Sequence, residues 1–222
     1  MSKELVENLE QIQLTIPKKV TLVAVSKTKP VEAINELYKA GQRIFGENRV
    51  QELVEKYEVL PKDIQWHLIG HLQRNKVKYI ASFVDLIHSI DSERLLDEVN
   101  LQAKKNNRKI KVLLQFFIAQ EETKFGFDWN EIQELFERRN PETYDSIEFC
   151  GVMGMATFSD DENQVRNEFK KLKLIFNHLK QTYFSASTSF SEISMGMSGD
   201  YQMAIEEGST MVRVGSSLFG AR

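Results

Sequence analysis

The sequence has few of the residues that mark an exported, fibrous or membrane-bound chain. It holds one cysteine and four prolines among 222 residues. It can therefore form no internal disulfide and no cysteine metal cluster, which fits a reducing compartment. No hydrophobic run approaches the length of a membrane span, and the first residues lack the apolar core of a signal peptide. We expect a cytoplasmic protein that does not enter the membrane.

The charge is nearly balanced, which argues against a highly charged partner. The chain has 29 basic and 32 acidic residues, a net charge of −3. There is no basic excess of the kind that indicates binding to nucleic acid or an anionic membrane. Hydrophobic residues are 41% and charged residues 27%, which is typical of a soluble globular protein. This length predicts a single domain, residues 1–222, whose core suffices for folding without disulfides or metals.

Short apolar segments alternate with longer amphipathic segments about eight times along the chain. Strands are predicted at 20–25, 43–45, 64–69, 84–88, 110–117, 147–152, 192–195 and 210–214. Helices are predicted at 31–40, 49–57, 73–80, 93–106, 130–138, 162–181 and 200–207, and another at 3–13 opens the chain. The pattern predicts an α/β fold, a single (β/α)8 TIM barrel with an extra N-terminal helix. A doubly wound open sheet is the alternative.

Lys27 directly follows the first predicted strand, and Pro30 suits the first turn of the next helix. Functional residues of such barrels lie at the carboxyl ends of the strands, so we expect Lys27 at the barrel mouth. Partial desolvation there, helped by Lys29 if it points the same way, favours the neutral amine, a nucleophile that forms Schiff bases with aldehydes. The alternative is an ordinary solvated lysine, and position alone favours that alternative.

Two loops rich in glycine and serine follow the last two predicted strands. They read SMGMSGD and RVGSS. Loops after strands seven and eight are the usual phosphate site of this barrel, because small residues let backbone N–H groups approach an anion. Ser194, Ser198 and Ser216 would add hydroxyl donors, and Ser198 is also expected to cap the helix at 200–207. The alternative is that these residues only form tight turns.

Closure of the barrel would make the eighth strand a neighbour of the first, so that Lys27 and the glycine–serine loops face one pocket. An amine beside a phosphate site is the arrangement that pyridoxal 5'-phosphate (PLP) requires. Arg213 precedes Gly215 by two residues, so both residues face the same side of the strand. Its guanidinium would hydrogen-bond the pyridine nitrogen and leave it unprotonated, because arginine keeps its charge. That partner makes PLP a weak electron sink.

Six segments resemble the pyridoxal phosphate homeostasis protein family, also called the YggS or PROSC type. They read VAVSKTKP around Lys27, FGENRVQE, WHLIGHLQRNK, HSIDS, SMGMSGD and RVGSSLFGAR. The resemblance spans about residues 20–222, in order and at family spacing. It implies a barrel similar to the N-terminal domain of alanine racemase, with PLP on the lysine of the first strand.

Motif by motif, the resemblance implies that Lys27 forms the Schiff base with PLP and that Asn48 lines the pocket. Arg213 matches the partner of the pyridine nitrogen. The positions that match phosphate-binding residues are Ser194, Ser198, Gly215 and Ser216. Many relatives have threonine or alanine after the glycine, whereas the serine in this chain keeps a hydroxyl there.

The resemblance implies a protein that holds PLP and takes part in intracellular vitamin B6 and amino-acid homeostasis without robust catalysis. The alternative is a PLP-dependent amino-acid racemase or a related enzyme of fold-type III. Racemisation needs an acid/base group on each face of the substrate. The chain stops at Arg222, after the last predicted barrel element and without the further β domain of the racemases. The end of the chain and the arginine partner favour a carrier with at most weak racemase-like activity.

A third interpretation is a barrel that binds phosphate without PLP. The missing β domain carries the main dimer contacts of the racemases, so a monomer is favoured. PLP-dependent apo-enzymes are candidate partners that would receive the cofactor.

The remaining chemically active residues have less distinctive patterns. Lys124, after the fifth strand, is the competing lysine for the Schiff base or a secondary aldehyde acceptor. His67 and His71 have no acidic residue between them, and Gly70 breaks the element, so no metal site is predicted. The resemblance suggests that both histidines shape the barrel mouth, with a structural role as the default, and Cys150 is expected to be a small core residue.

Overall fold

The computed structural model describes residues 2–119 and 125–220, and in this part eight parallel strands close into one barrel. The strands are β1 (Thr21–Val25), β2 (Ile44–Glu47), β3 (Gln65–Leu68), β4 (Leu86–Ile90), β5 (Ile110–Gln115), β6 (Ile147–Met153), β7 (Glu192–Met197) and β8 (Met211–Val214). Each strand pairs with the next, and β8 pairs with β1, with Thr21 opposite Met211 and Ala24 opposite Val214. This closure confirms the predicted barrel and excludes the open sheet, whose edge strands would lack a partner.

Helices follow the strands and surround the barrel. They are α1 (Ser2–Thr15), α2 (Val31–Lys39), α3 (Val50–Val59), α4 (Val77–Ile80), α5 (Glu93–Lys105), α6 (Trp129–Arg138), α7 (Glu162–Thr182), α8 (Tyr201–Glu206) and α9 (Ser216–Phe219), with 3-10 turns at Arg74–Lys76 and Pro141–Thr143. The extra N-terminal helix is confirmed as α1, which packs against α2 and α9. The helix predicted at 73–80 is a 3-10 turn followed by the single turn α4. The sequence did not predict α9, because four residues are too few to show a period.

Two separate sets of buried apolar side chains flank the strands. The larger set lies between the barrel and its helices. The smaller set lies inside the barrel, because its members come from five different strands and can meet only there. It consists of Val23, Leu86, Leu113, Cys150, Met153 and Met211. Cys150 is therefore a core residue, and its burial raises the pKa of the thiol to about 12.

The barrel interior also contains polar side chains that alternate with the apolar ones. Buried polar residues on β3, β4, β5, β7 and β8 include His67, His88, Gln115, Ser194 and Arg213. Buried polar groups need hydrogen-bond partners. Hydrogen bonds join the four residues His67, His88, Ser194 and Arg213 in that order. This interior network leads towards the carboxyl ends of the strands, where the candidate site lies.

Within residues 2–119 and 125–220, no helix is both long enough and apolar enough to cross a membrane. The same part of the chain holds no cluster of three or more histidine, cysteine or acidic residues arranged to bind a metal ion.

Candidate functional site

Lys27 lies two residues beyond the end of β1, at the carboxyl ends of the strands. It continues the alternation of Val23, which faces the barrel interior. Ser26, between β1 and Lys27, is fully buried on the opposite side, and its hydroxyl donates to Glu47 at 2.5 Å. Lys27 is partly exposed, and its side chain has no hydrogen bond or ion pair to any described residue. The amine is thus available to a ligand.

Hydrogen bonds hold the loop that contains Lys27 at several points. The Lys29 N–H donates to the Ser26 carbonyl at 3.0 Å, which closes a tight turn. The Thr28 N–H donates to the Glu52 carboxylate of α3. The Lys29 ammonium donates to the carbonyls of Phe219 and Gly220, at 3.3 and 3.1 Å. Lys29 is therefore engaged at the end of α9, and the expectation that it assists Lys27 has no support in these contacts.

Thr28 has a backbone φ of +63°, a conformation that β-branched residues rarely adopt. Strain of this kind costs about 1–3 kcal/mol and persists where surrounding contacts enforce it. The bonds donated by the N–H groups of Thr28 and Lys29 supply that enforcement. The strain lies directly beside Lys27, in the segment that the site depends on.

Replacing Thr28 with glycine is expected to raise the free energy of unfolding by about 1 kcal/mol, because glycine adopts a positive φ without strain. Denaturant unfolding of both proteins measures the difference. Asn107→Gly is the matched control: Asn107 has a φ of +51°, and asparagine tolerates this region, so little change is expected. A Thr28→Gly variant that is less stable than the wild type would show that the loop is not strained.

A buried ion network fixes the ends of β1 and β2 against α3. The Lys56 ammonium donates to the carboxylates of Glu47 and Glu52, at 2.7 and 2.8 Å, and to the Ser26 carbonyl at 2.8 Å. The Glu47 side chain is 0% exposed and that of Lys56 is 7% exposed. Burial raises the pKa of Glu47, although Lys56 and Ser26 act in the opposite direction. The network therefore holds the base of the Lys27 loop by charge as well as by packing.

Sequence reasoning missed this network, although one signal was present. Lys56 lies three residues after Leu53 and six after Val50, and both of these are buried on α3. A charged residue on the buried stripe of a helix needs a buried partner. Glu47, within the FGENRVQE segment, is that partner.

Asn48 follows β2 directly and is half-buried. The backbone of Gly70 lies so close that a Cβ atom there would collide with the Asn48 carbonyl oxygen. The Asn48 side-chain amide has no hydrogen bond to a described residue, so it is available to a ligand. Because β1 pairs with β2, with Val25 opposite Gly46, Asn48 and Lys27 follow adjacent strand ends.

Ser198 connects the two glycine–serine loops. Its hydroxyl oxygen accepts from the N–H groups of Gly215 and Ser217, at 3.0 and 3.5 Å. The prediction that Ser198 caps α8 is wrong. That helix begins after Asp200, whose carboxylate accepts from the Met197 N–H at 2.5 Å. The prediction failed because the orphan N–H groups nearest to Ser198 belong to the start of α9.

The same loops leave backbone donors open next to β1. Among the described residues, the N–H groups of Ser198, Gly199 and Ser216 have no protein acceptor. Gly215 lies against the end of β1: a Cβ atom on it would be 3.2 Å from the Val25 Cβ and 3.3 Å from its carbonyl oxygen. The barrel closure thus places the open donors beside the strand that leads to Lys27.

Arg213 is buried inside the barrel, with 4% of its surface exposed. Its Nη1 donates to the carbonyl and hydroxyl oxygens of Ser194, at 2.8 and 2.6 Å, and its Nη2 donates to the Gly154 carbonyl at 3.1 Å. Burial lowers its pKa to about 10, opposed by the charge of Asp200, so the side chain keeps its charge at neutral pH. The Nε–H makes no hydrogen bond to a described residue and is available to a ligand.

Ser194 has other partners than the predicted phosphate. Its hydroxyl is fully buried, accepts from Arg213 and lies 3.0 Å from Nδ1 of His88. The hydroxyl therefore has hydrogen-bond partners inside the barrel both for accepting and for donating. These contacts make Ser194 a support for Arg213 and do not fit the expectation that it binds phosphate directly.

The two histidines of the WHLIGHLQRNK segment lie in different parts of the structure. His71 is 46% exposed in its side chain and lies 3.0 Å from Asp91, with its ring 4.7 Å from that of Phe125. His67 is buried in the barrel and contacts His88, so the prediction that it shapes the mouth is wrong. Strand alternation explains this, because His67 lies within β3, which points it inwards and ends at Leu68. Lys124 lies outside the described residues.

Comparison with known proteins identifies the family. The family model "Alanine racemase, N-terminal domain" matches residues 2–222. A pyridoxal phosphate homeostasis protein of Aquifex aeolicus is 42% identical over 202 residues, which cover 90% of this chain and 86% of the relative. The chain belongs to the pyridoxal phosphate homeostasis protein family.

Solved structures agree with this family assignment. PipY of Synechococcus elongatus, solved with PLP bound, is 34% identical with a TM-score of 0.87; the match covers 97% of this chain and all of PipY. Alanine racemase of Bartonella henselae has a TM-score of 0.74 at 18% identity and covers 99% of this chain but 59% of the racemase. The second likeness shows that this chain shares the racemase barrel fold.

Proposed function

We propose that this protein binds PLP at the barrel mouth and takes part in intracellular PLP and amino-acid homeostasis. The observation that supports this best is the uncommitted Lys27 amine next to glycine–serine loops with open N–H donors. The name of the Aquifex aeolicus relative and the PLP bound to PipY point to the same cofactor.

The residues present fit PLP group by group. A primary amine without a protein partner, that of Lys27, suits the aldehyde. Open backbone N–H groups at Ser198, Gly199 and Ser216, with the hydroxyls of Ser198 and Ser216, suit a phosphate. The open Nε–H of Arg213 suits the pyridine nitrogen, and Asn48 adds an amide to the wall.

We propose that Lys27 condenses with the aldehyde carbon, with loss of one water, and holds PLP as a Schiff base. Arg213 remains charged and donates without giving up its proton. A pyridine nitrogen that stays unprotonated withdraws electrons weakly, so bound PLP would have little power to stabilise a carbanion. This combination favours storage and delivery of PLP over robust catalysis.

Further parts of the proposal concern the chain as a whole. We propose that residues 1–222 form one domain, that the protein acts as a monomer in the cytoplasm, and that PLP-dependent apo-enzymes receive its cofactor. Lys124 as a secondary aldehyde acceptor stays a prediction.

Equilibrium dialysis with three ligands tests the function. PLP, pyridoxal without the phosphate, and pyridoxamine 5'-phosphate without the aldehyde separate the two ends of the site. The proposal predicts tight retention of PLP with a yellow absorbance band, and much weaker retention of the other two. Equal retention of pyridoxamine 5'-phosphate would contradict the lysine linkage, and rapid racemase turnover on a common amino acid would favour the enzyme alternative.

Replacing Ser198 with alanine is expected to weaken PLP binding about tenfold, roughly 1.4 kcal/mol, because the variant loses a hydroxyl donor and the bonds that join the two loops. Dialysis with PLP and with pyridoxal measures the effect, and only PLP should be affected. Ser82→Ala, at an exposed turn, is the control. An equal loss for pyridoxal would show that Ser198 does not act on the phosphate.

A further inference from the structure

A chain of polar side chains crosses the barrel interior behind the candidate site. His67 Nδ1 lies 3.0 Å from His88 Nε2, and His88 Nδ1 lies 3.0 Å from the Ser194 hydroxyl, which accepts from Arg213. At the other end, His67 Nε2 is 3.7 Å from the carboxylate of Asp85, which directly precedes β4. His67, His88, Ser194 and Arg213 are each at most 4% exposed. The chain therefore joins an anion near the amino ends of the strands to the buried arginine.

The surroundings of each group determine its charge along this chain. The contact with His67 and the charge of Lys111 lower the pKa of Asp85, so it is ionised at neutral pH. Burial lowers the pKa of His67 and, together with His67 and Arg213, lowers that of His88 well below its ordinary value. Burial thus disfavours the charged form of both imidazoles, and a neutral imidazole has one donor and one acceptor nitrogen.

These charges favour one direction of hydrogen bonding. The Asp85 carboxylate lies 3.7 Å from His67 Nε2, beyond hydrogen-bond distance, and its negative charge favours a proton on that nitrogen, which leaves Nδ1 as an acceptor. His88 must then donate from Nε2, which leaves its Nδ1 to accept the Ser194 hydroxyl proton. The Ser194 oxygen keeps its lone pairs for Arg213. Every donor along the chain points from the arginine towards the aspartate.

We propose that His88 and His67 are positioning residues for Arg213, which act through Ser194 to fix the guanidinium as a donor towards the ligand. The proposal rests on the proposed function for the identity of that ligand, the pyridine nitrogen of PLP.

The arginine needs this support because its described hydrogen-bond partners are all neutral: two oxygens of Ser194 and the Gly154 carbonyl. Aligned hydrogen bonds polarise one another, which strengthens the Ser194 oxygen as an acceptor. Without His88, the Ser194 hydroxyl could rotate its proton towards Arg213 and lose that role.

Nitrogen-15 NMR of histidine-labelled protein without ligand tests the direction of the chain. The proposal predicts neutral rings with the proton on Nε2 for both His67 and His88 at pH 7, and resolved, slowly exchanging Nη signals for Arg213. A proton on Nδ1 of either ring, or a charged ring, would overturn it. Single replacements of each histidine assign the signals.

Two variants test the positioning role. In His88→Asn the side-chain oxygen can still accept from Ser194, whereas in His88→Leu it cannot. The wild type should prefer PLP over an analogue with carbon in place of the pyridine nitrogen. We expect His88→Leu to reduce this preference at least about fivefold and to average the Arg213 Nη signals, and His88→Asn to retain most of both.

Equal weakening of PLP and analogue in His88→Leu, with the Arg213 signals unchanged, would show that the histidine only fills space and would overturn the proposal. If His88→Leu does not fold, the same comparison is made between His88→Asn and the wild type, where a lost preference overturns it. Failure of the wild type to bind PLP would instead overturn the proposed function, and the ligand-free NMR result would still decide whether the chain positions Arg213.

Discussion

Replacing Lys27 with alanine is expected to abolish the yellow absorbance of the PLP-loaded protein. PLP binding should weaken at least about a hundredfold, roughly 2.8 kcal/mol, because the covalent bond is lost while the phosphate contacts remain. The reason lies in the geometry: Lys27 follows β1 at the mouth and its amine has no described partner. Absorbance and equilibrium dialysis measure the two effects. Residual weak binding through the phosphate is part of the expected result.

Lys29→Arg is the matched control for Lys27→Ala. Lys29 lies in the same loop, but its ammonium binds carbonyls at the end of α9, and arginine can keep those bonds. This variant should keep the absorbance band. An unchanged band in Lys27→Ala would mean that another lysine holds the cofactor, and Lys124 would be the first to examine.

Replacing Lys56 with methionine is expected to lower the free energy of unfolding by about 3–5 kcal/mol, because it leaves the fully buried Glu47 without a counter-charge. One Glu47 oxygen already lacks a hydrogen-bond partner. The variant also removes the bond to the Ser26 carbonyl, so PLP binding should weaken along with stability. Denaturant unfolding and dialysis measure the two losses.

Two further variants separate the buried charge from general effects. Lys104→Met removes an exposed ion pair with Asp145 and should cause no measurable change. Adding Glu47→Leu to Lys56→Met should recover much of the stability, because the buried charge disappears with its partner. A double variant as unstable as Lys56→Met alone would contradict the electrostatic explanation.

The Lys56→Met deficit should depend on pH. Burial raises the pKa of Glu47, so the folded state binds this proton more tightly than the unfolded state does. Stability from this group is therefore present at acid pH and is lost as the pH rises through the raised folded pKa. Removal of Lys56 raises that pKa further, so the deficit should shrink on acidification.

The barrel was predictable because its signal is repeated. Eight apolar segments, each followed by an amphipathic one, leave few arrangements that bury both faces of a parallel sheet. The structure moves strand ends by a few residues; β4, for example, begins at Leu86 where Val84 was predicted. Elements of a single turn, such as α4 and α9, carry no periodic signal and were missed or merged.

The candidate site was predictable where it depends on strand ends, and not where it depends on side-chain partners. Lys27 and Gly215 follow from position in the chain and from the closure of the barrel. The partners of Ser194 and Ser198 could not be predicted in this way. They depend on which polar groups are left without a hydrogen bond once the chain has folded. Pairing of His67 with His88 needs β3 and β4 in register, which no local pattern records.

Borohydride reduction of the PLP-loaded protein, followed by peptide mapping, tests the central claim most directly. Reduction converts the Schiff base into a stable secondary amine and so marks the lysine that held the cofactor. The account predicts the pyridoxyl group on the peptide that contains Lys27. A label on Lys124 or any other lysine, with Lys27 unmodified, would contradict it.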